Sequence, residues 1–417
     1  MKKINLFGFS LLIITFIVII RFDRLISIID LTIKFFELCL ISIDNAQEQL
    51  NFVMLELFFV PIIFLGSIFI LFKYKSILVN LRLNFTTLFS IILFAAVIFS
   101  PLLITQNPGK INNLRVAKLL PPFSNKMLVE ITQKTEVSSF EKLKYKFTSE
   151  FETEFMFLAD SINQNEYLVY QKNNVINLKE RSNMQESEIK VSSLYFILGT
   201  DELGRDVFSR LIYGLRFSIF IAVVSVLIAV MIAGTIGFFA GFYSGVVGDF
   251  FNKIIDIFLA FPTVFLIIIL LALFGNSLAL LIMILGITGW MTLAKIIRSE
   301  ILISKRKDFI TADLFLGYSK LRLFFFELLP AILPPVIVNI IFLFVGIIIV
   351  ESSLSFLGLG VQNEFVTIGG MINDGQKVMS NSWWVITFSC IVLVMCLLVV
   401  NSIGRYLEQK VNPKLEK

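Results

Sequence analysis

The sequence predicts an all-α integral membrane protein carrying one large polar insertion, and three observations predict it. Hydrophobic residues make up 57% of the 417 and charged residues only 16%, an apolar share well above that of soluble globular chains. Apolar runs long enough to cross the roughly 30 Å hydrocarbon layer as helices recur along the chain, each flanked by charge or turn residues. Basic residues gather between such runs in two places, Lys73, Lys75 and Arg82 in one, Lys295, Arg298, Lys305, Arg306, Lys307, Lys320 and Arg322 in the other. Such loops belong on the cytoplasmic side.

Taken in order, the runs predict about eight spans. The first, Ile4 to Ile20, follows Lys2 and Lys3 and has no small-residue cleavage site before Arg21 and Asp23, so it reads as an uncleaved anchor. The stretch from Ile26 to Leu50 alternates charge with apolar residues and is expected along the membrane surface. A second span covers Phe52 to Phe72 around Pro61, and a third covers Phe85 to Ile104. From Gln106 to Phe196 the chain turns polar, with short apolar pieces such as Tyr167 to Tyr170; this reads as an extramembrane domain of mixed strand and helix, α+β in character. Five further spans are expected at Leu215 to Ala240, Ile254 to Phe274, Leu278 to Met291, Ile332 to Val350 and Val385 to Ile403. An even number of spans between the two basic loops places both inside, with the termini, and puts the polar insertion and Glu351 to Trp384 outside; the acids Glu351, Glu364 and Asp374 agree.

Composition also excludes. The chain has no histidine, which removes the commonest general base and transition-metal ligand. Cys39, Cys390 and Cys396 sit among apolar residues and read as packed thiols, so no metal site is expected. A net charge of +5 is the modest excess of cytoplasmic loops and predicts no nucleic-acid partner. No G-x-x-x-x-G-K-[ST] phosphate loop is present, so the chain itself has no nucleotide cradle. An intramembrane hydrolase is disfavoured by the missing histidine and by Asp249 and Asp256 lying near the end of a span.

The basic loop from Arg298 to Pro330 is the most informative segment, because some thirty residues between two spans imply a contact. Phe309, Ala312, Phe315 and Leu316 fall at helical spacing, Gly317 suits a left-handed C′ position, and Ser319 suits the cap of a second helix. The result is a helix, a corner and a second helix re-entering at Leu329-Pro330. Spacing alone leaves two readings equally open, a docking knuckle for a partner or an amphipathic hairpin against headgroups. Elsewhere Asp201, Glu202, Arg205, Asp206 and Arg210 read as a charged segment before a span, either a solvated brace or a partner contact. Gly234, Gly237, Gly241 and Gly245 lie near one face and suit close helix packing. Glu351, at the end of an apolar run, and similarly Asp256, read most simply as groups snorkelling to water.

Thr311-Ala312-Asp313, Gly317 and Leu329-Pro330 match in spacing the Glu-Ala-Ala, Gly, Ile-x-Leu-Pro loop of binding-protein-dependent ABC permeases, which this loop resembles. Leu198-Gly199-Thr200-Asp201, Gly204-Arg205-Asp206-Val207, Ser209-Arg210 and Tyr213-Gly214 look like the signature of the dipeptide and oligopeptide branch. Gly241-Phe242-Tyr243-Ser244-Gly245, Asp249, Asp256, Phe261-Pro262, Glu351, Leu354-Ser355-Phe356-Leu357-Gly358-Leu359-Gly360, Asn401, Gly404 and Pro413 are similar to the same branch. The sequence departs from the pattern at Thr311, Asp313, Glu327, Ile368, Arg405 and Asn412.

The resemblance covers Phe85 to Lys417 and implies a type I ABC importer permease bundle. It divides the chain into an extension at 1–84 with two spans, a first permease helix at 85–105, an extracytoplasmic domain at 106–198 and a five-span core at 199–417. It implies a non-catalytic translocator of peptides or similar small solutes, working by alternating access in the cytoplasmic membrane. Phe309, Thr311, Ala312, Asp313, Gly317, Leu329 and Pro330, within the 298–330 loop, become the ATPase-coupling residues; Gly199, Thr200, Asp201, Gly204, Arg205 and Asp206 form an outer-face segment; Glu351, Ser355, Phe356, Leu357 and Gly358 form an outer re-entry segment. The implied partners are a second homologous permease, two ABC ATPase subunits that bind ATP and Mg, an extracytoplasmic solute-binding protein and lipid. No cofactor is expected in this chain. A membrane scaffold that binds a partner through its exterior domain without transport is the alternative.

Overall fold

The computed structural model describes residues 13, 15–17, 19, 21–41, 85–104, 108–109, 117–132, 155–159, 161–163, 168–171, 174–177, 188–307, 310, 320–361 and 365–411. The expected span from Phe52 to Phe72, most of Ile4 to Ile20, and Phe309, Thr311, Ala312, Asp313, Gly317, Ser319, Glu364, Asn412 and Pro413 lie outside the described residues. The chain divides into two compact units, residues 1–216 with 374–392 and residues 217–373 with 393–417.

In the first unit, helix α1 spans Phe22–Ile41. Leu25, Ile28 and Leu31 are buried on one side of it and Phe22, Ile26, Ile29 and Ile33 are exposed on the other. Helix α2 covers Phe85–Ile98 and a single turn, α3, covers Ser100–Leu103. The break falls before Pro101, which supplies no backbone N–H and suits the first turn of a helix. Most described residues of the polar insertion lie in strands. β1 (Ser124–Thr132) lies between β2 (Phe155–Ala159) and β6 (Glu188–Phe196) in an antiparallel sheet, with Met127 opposite both Ala159 and Ser193. β3 (Ser161–Asn163), β4 (Leu168–Gln171) and β5 (Asn174–Asn177) form a second antiparallel sheet in sequence order. In the second sheet antiparallel pairing needs only short connections, at 164–167 and 172–173.

Long apolar helices follow. α4 is Val207–Phe242, α5 Val246–Leu259, α6 Thr263–Phe274 and α7 Leu278–Ser304. A short α8, Lys320–Leu323, leads through a π-turn at Phe324–Leu328 into α9, Leu329–Phe356; α10 is Ile368–Lys377 and α11 Trp383–Val411. Among the described residues four stretches are long and apolar enough to cross a membrane, Val207–Phe242, Leu278–Ser304, Phe324–Phe356 and Trp383–Gln409; α5 with α6 makes a fifth if the bent pair is one span. The chain is therefore a multi-pass membrane protein.

Three expected boundaries change. The span read as Ile254 to Phe274 is two helices bent by 80°, because Pro262 cannot donate a backbone hydrogen bond and instead begins α6 as its N-cap. The short span Leu278 to Met291 extends to Ser304, so Lys295 and Arg298 lie on a helix and not in a loop. Polar residues survive in it by bonding backward: Thr288 Oγ1 donates to the Ile284 carbonyl at 2.8 Å. Re-entry at Leu329-Pro330 is no helix start, since α8, the π-turn and α9 run on without a gap. The Leu329 N–H donates to the Phe324 carbonyl, five residues back, and that wider register admits Pro330 where an α-turn would strain.

The core of the second unit joins α4, α5, α7 and the start of α9 through Ala233, Ile255, Trp290, Leu293, Ile297, Ile301 and Ile332. Two of the four glycines expected at a close approach make one. A Cβ at Gly237 would lie 2.8 Å from the Ala294 carbonyl oxygen, and one at Gly241 would lie 3.0 Å from that of Arg298. Gly234 and Gly245 face open space, whereas Gly286, not singled out from the sequence, meets Ile228 at 2.7 Å. The pattern is of small-residue helix packing, confined on α4 to Gly237 and Gly241.

Candidate functional site

The residues read as an outer-face segment fold into a buried charge network in the first unit. Gly199 has φ +77°, and a Cβ there would lie 2.4 Å from the Leu120 carbonyl oxygen, so only glycine serves. Thr200 Oγ1 accepts from the Leu120 N–H at 2.8 Å and donates to the Ala117 carbonyl, while Trp384 Nε1 donates to the Thr200 carbonyl at 3.1 Å. Asp201 Oδ1 accepts the N–H groups of Leu203 and Arg205, both at 2.9 Å, closing a turn in which Gly204 also takes a positive φ. Its Oδ2 accepts Arg205 Nε at 2.7 Å and Arg210 Nη1. Both guanidinium groups continue to Asp374 Oδ2, at 3.4 Å from Arg205 and 3.2 Å from Arg210. Asp206 caps α4, its Oδ2 accepting from the Ser209 N–H at 3.0 Å and the Ser209 hydroxyl at 2.6 Å.

Of the two readings of this segment, the solvated brace fails at its centre: Asp201 and Arg210 are 2% and 4% exposed. Desolvation makes each ion depend on its partner. Only Glu202 keeps to the surface, beside Lys118 at 3.6 Å. Sequence reading used Asp374 for orientation alone and missed it as a partner, because 164 residues separate it from Arg210.

The re-entry residues make a second polar cluster, in the second unit. Glu351 is fully buried, so it does not snorkel. Ser355 Oγ donates to its Oε1 at 2.9 Å and Ser352 Oγ lies 3.4 Å from Oε2; the hydroxyls of Ser218 and Thr367 bond to it as well. Ser218 Oγ also accepts from the Ile368 N–H at 3.3 Å, and Thr367 Oγ1 from the Gly370 N–H at 3.1 Å. Glu351 thus ties α9 to α4 and to the start of α10. The close of α9 follows a Schellman pattern, with Gly358 at φ +80°, the Leu359 N–H donating to the Leu354 carbonyl at 2.8 Å and the Gly358 N–H to that of Ser355 at 3.1 Å. The Phe356 carbonyl accepts Asn373 Nδ2 at 2.6 Å, and Leu357 is exposed.

At the base of the basic loop, Lys305 Nζ donates to the Phe242 carbonyl at 2.7 Å and lies 5.3 Å from the centre of that ring. A cation there satisfies the carbonyl end of α4. Ile310, Leu323 and Leu328 are buried with Phe242 and Ile301, and Phe324 packs on Phe238 at 4.2 Å between ring centres. At the start of α9, Leu329 is half-buried and Pro330 is exposed. Both flanks of the loop are thus anchored in one core, at the shared end of α4 and α7. Lys305 counted in the sequence only as a basic residue; its capping role needed the three-dimensional neighbour.

Residues 233–413 match the family described as binding-protein-dependent transport system inner membrane component. The dipeptide transport system permease protein DppC of Bacillus subtilis (strain 168) is 34% identical over 238 residues, which cover 57% of this chain and 74% of that protein. This chain belongs to that family of inner membrane components. It is a permease of an ABC importer, and the scaffold alternative is not favoured. The DppC protein of Escherichia coli (strain K12) is 37% identical over 225 residues, 54% of this chain and 75% of that one. The oligopeptide transport system permease protein OppC of Salmonella typhimurium (strain LT2) is 38% identical over 231 residues, 55% of this chain and 76% of that one. Among solved structures, the inward-facing MetNI methionine ABC transporter shares 15% identity, with a TM-score of 0.43 over 49% of this chain and 96% of that chain.

Proposed function

We propose that this permease forms half of the translocation pathway of an ATP-driven importer of peptides or similar small solutes. The observation that carries the solute class is the similarity to dipeptide and oligopeptide permeases over more than half of the chain. A second homologous permease supplies the other half of the pathway, and two ABC ATPase subunits, binding ATP and Mg, supply the work. An extracytoplasmic solute-binding protein delivers the cargo. The protein lies in the cytoplasmic membrane with both termini and the 298–330 loop inside, and the strand-rich segment 106–198 outside. No residue performs covalent chemistry; ATP-driven closure of the ATPases moves the loop, and the bundle alternates between two states that differ in solute affinity.

The loop is suited to this because its flanks, Lys305, Ile310, Leu323 and Leu328, are packed into the ends of α4 and α7, so force applied to it reaches whole helices. The test is co-purification of the ATPase together with dipeptide uptake. Ala312→Asp is expected to release the ATPase and abolish uptake while the permease remains in the membrane. Retained ATPase with normal uptake would reject the coupling assignment, and uptake of no peptide by the intact transporter would reject the solute.

A further inference from the structure

α6 has 12 residues and rises about 18 Å, well short of the roughly 30 Å of hydrocarbon. α6 is thus too short to cross the layer by itself, and α5, which carries Asp256, turns away from it by 80° at Pro262. Asp256 Oδ1 meets Lys295 Nζ of α7 at 2.9 Å, and Asp256 Oδ2 accepts from Asn252 Nδ2 at 3.0 Å. Arg298 adds a second positive charge to the field at this carboxylate. The pair is not sealed: the two side chains are 53% and 47% exposed for Lys295 and Asp256. Around it Ile257, Phe258, Phe261 and Phe265 are exposed, and Phe258 stands edge-on to Trp290 at 5.6 Å.

Charges held against hydrocarbon cost several kcal/mol, and they turn instead to protein or to a water-filled cavity. Along α9, Leu333, Ile337, Phe342 and Ile349 are exposed and apolar and suit acyl chains. We propose that the α5–α6 bend lines the aqueous translocation pathway and that the Asp256–Lys295 pair is a contact site for zwitterionic solutes, Asp256 taking an α-ammonium group and Lys295 an α-carboxylate. An ion pair is a fitting receptor for such a molecule. The incoming charges exchange partners with it, so neither residue is left unpaired while the solute is bound or after it leaves. The exposed aromatic rings beside it accept apolar side chains of any shape, which keeps the site indifferent to peptide sequence. This inference rests on the peptide reading above.

The test uses membrane vesicles holding the complete transporter, with Cys39, Cys390 and Cys396 replaced by Ser and single cysteines introduced as Ile257→Cys, Asp256→Cys or Ile337→Cys. A membrane-impermeant cationic thiol reagent is applied to either side, and dialanine uptake is followed in parallel. Positions 256 and 257 are expected to label and position 337 is not. At position 257, where the ion pair is intact, saturating dialanine slows labelling about tenfold, the scale of one charge-assisted contact, and dialanine blocked at both ends does not. Vesicles that transport dialanine yet fail to label at 256 and 257 from either side overturn the inference and leave the peptide reading standing. Equal protection by free and blocked dialanine removes the zwitterion assignment. Vesicles that label at 256 and 257 but take up no dialanine instead overturn the peptide reading, with the aqueous face retained.

Discussion

The two buried polar clusters of this permease accommodate their carboxylates by different means. In the first unit Asp201 is met by two guanidinium groups, which are met in turn by Asp374; charge answers charge. In the second unit Glu351 is equally buried, and what surrounds it among the described residues is hydroxyl groups from Ser218, Ser352, Ser355 and Thr367. The comparison teaches that a charged residue at a span end is not one kind of feature. An ion network fails when one member goes, because the others stay buried without a partner. A hydroxyl nest degrades more gently, since each hydroxyl is a small dipole.

Substitutions can break that contrast, and the largest effect belongs to the ion network. Arg210→Met removes the most buried cation and leaves Asp201 with Arg205 alone; a loss of about 3–5 kcal/mol is expected, seen as a sharp drop in the thermal unfolding temperature of the detergent-solubilised protein. An unchanged midpoint would show that the network is decorative. Next comes Gly369→Val in the second cluster, where even a Cβ would lie 2.4 Å from the Ser352 carbonyl oxygen. Overpacking of about 1–3 kcal/mol is expected by the same measurement, with faster proteolysis of the loop before α10.

Glu351→Gln and Glu351→Leu sharpen the distinction directly. The amide keeps an acceptor for the hydroxyls and is expected to stay within about 1 kcal/mol of the parent, whereas leucine strands the hydroxyls at about 1–3 kcal/mol. If glutamine proves as harmful as leucine, charge rather than hydrogen bonding holds the cluster. The smallest change is expected for Asp374→Asn. Its side chain is 38% exposed, so water replaces part of the lost attraction and about 1 kcal/mol or less is at stake. A double-mutant cycle with Arg205→Lys would measure that coupling.

The site was legible in part, and the divide follows how far each fact reaches along the chain. Gly199, Asp201, Arg205 and Arg210 lie close along the chain, and the sequence placed them together; that Asp374 completes the network needed the approach of residues 164 positions apart. Glu351, Ser352 and Ser355 share a helix face by spacing alone, but Ser218 and Thr367 arrive from other elements. Residues judged by local pattern were right in kind and wrong in surroundings. Snorkelling is the expectation for an isolated helix, and a neighbouring hydroxyl nest overrides it.

The sequence by itself determined the solvent, the helical class and the membership in a permease family. These rest on composition, run length and motif order, which are properties of short stretches. The tertiary structure decided the bend of α5 against α6, the unbroken passage through Pro330, which glycines make contact and which charges are buried. Each of those depends on what stands opposite a residue. Membrane helices have lipid on most sides whatever their order, so hydropathy fixes that they span and leaves to side-chain contact how they meet.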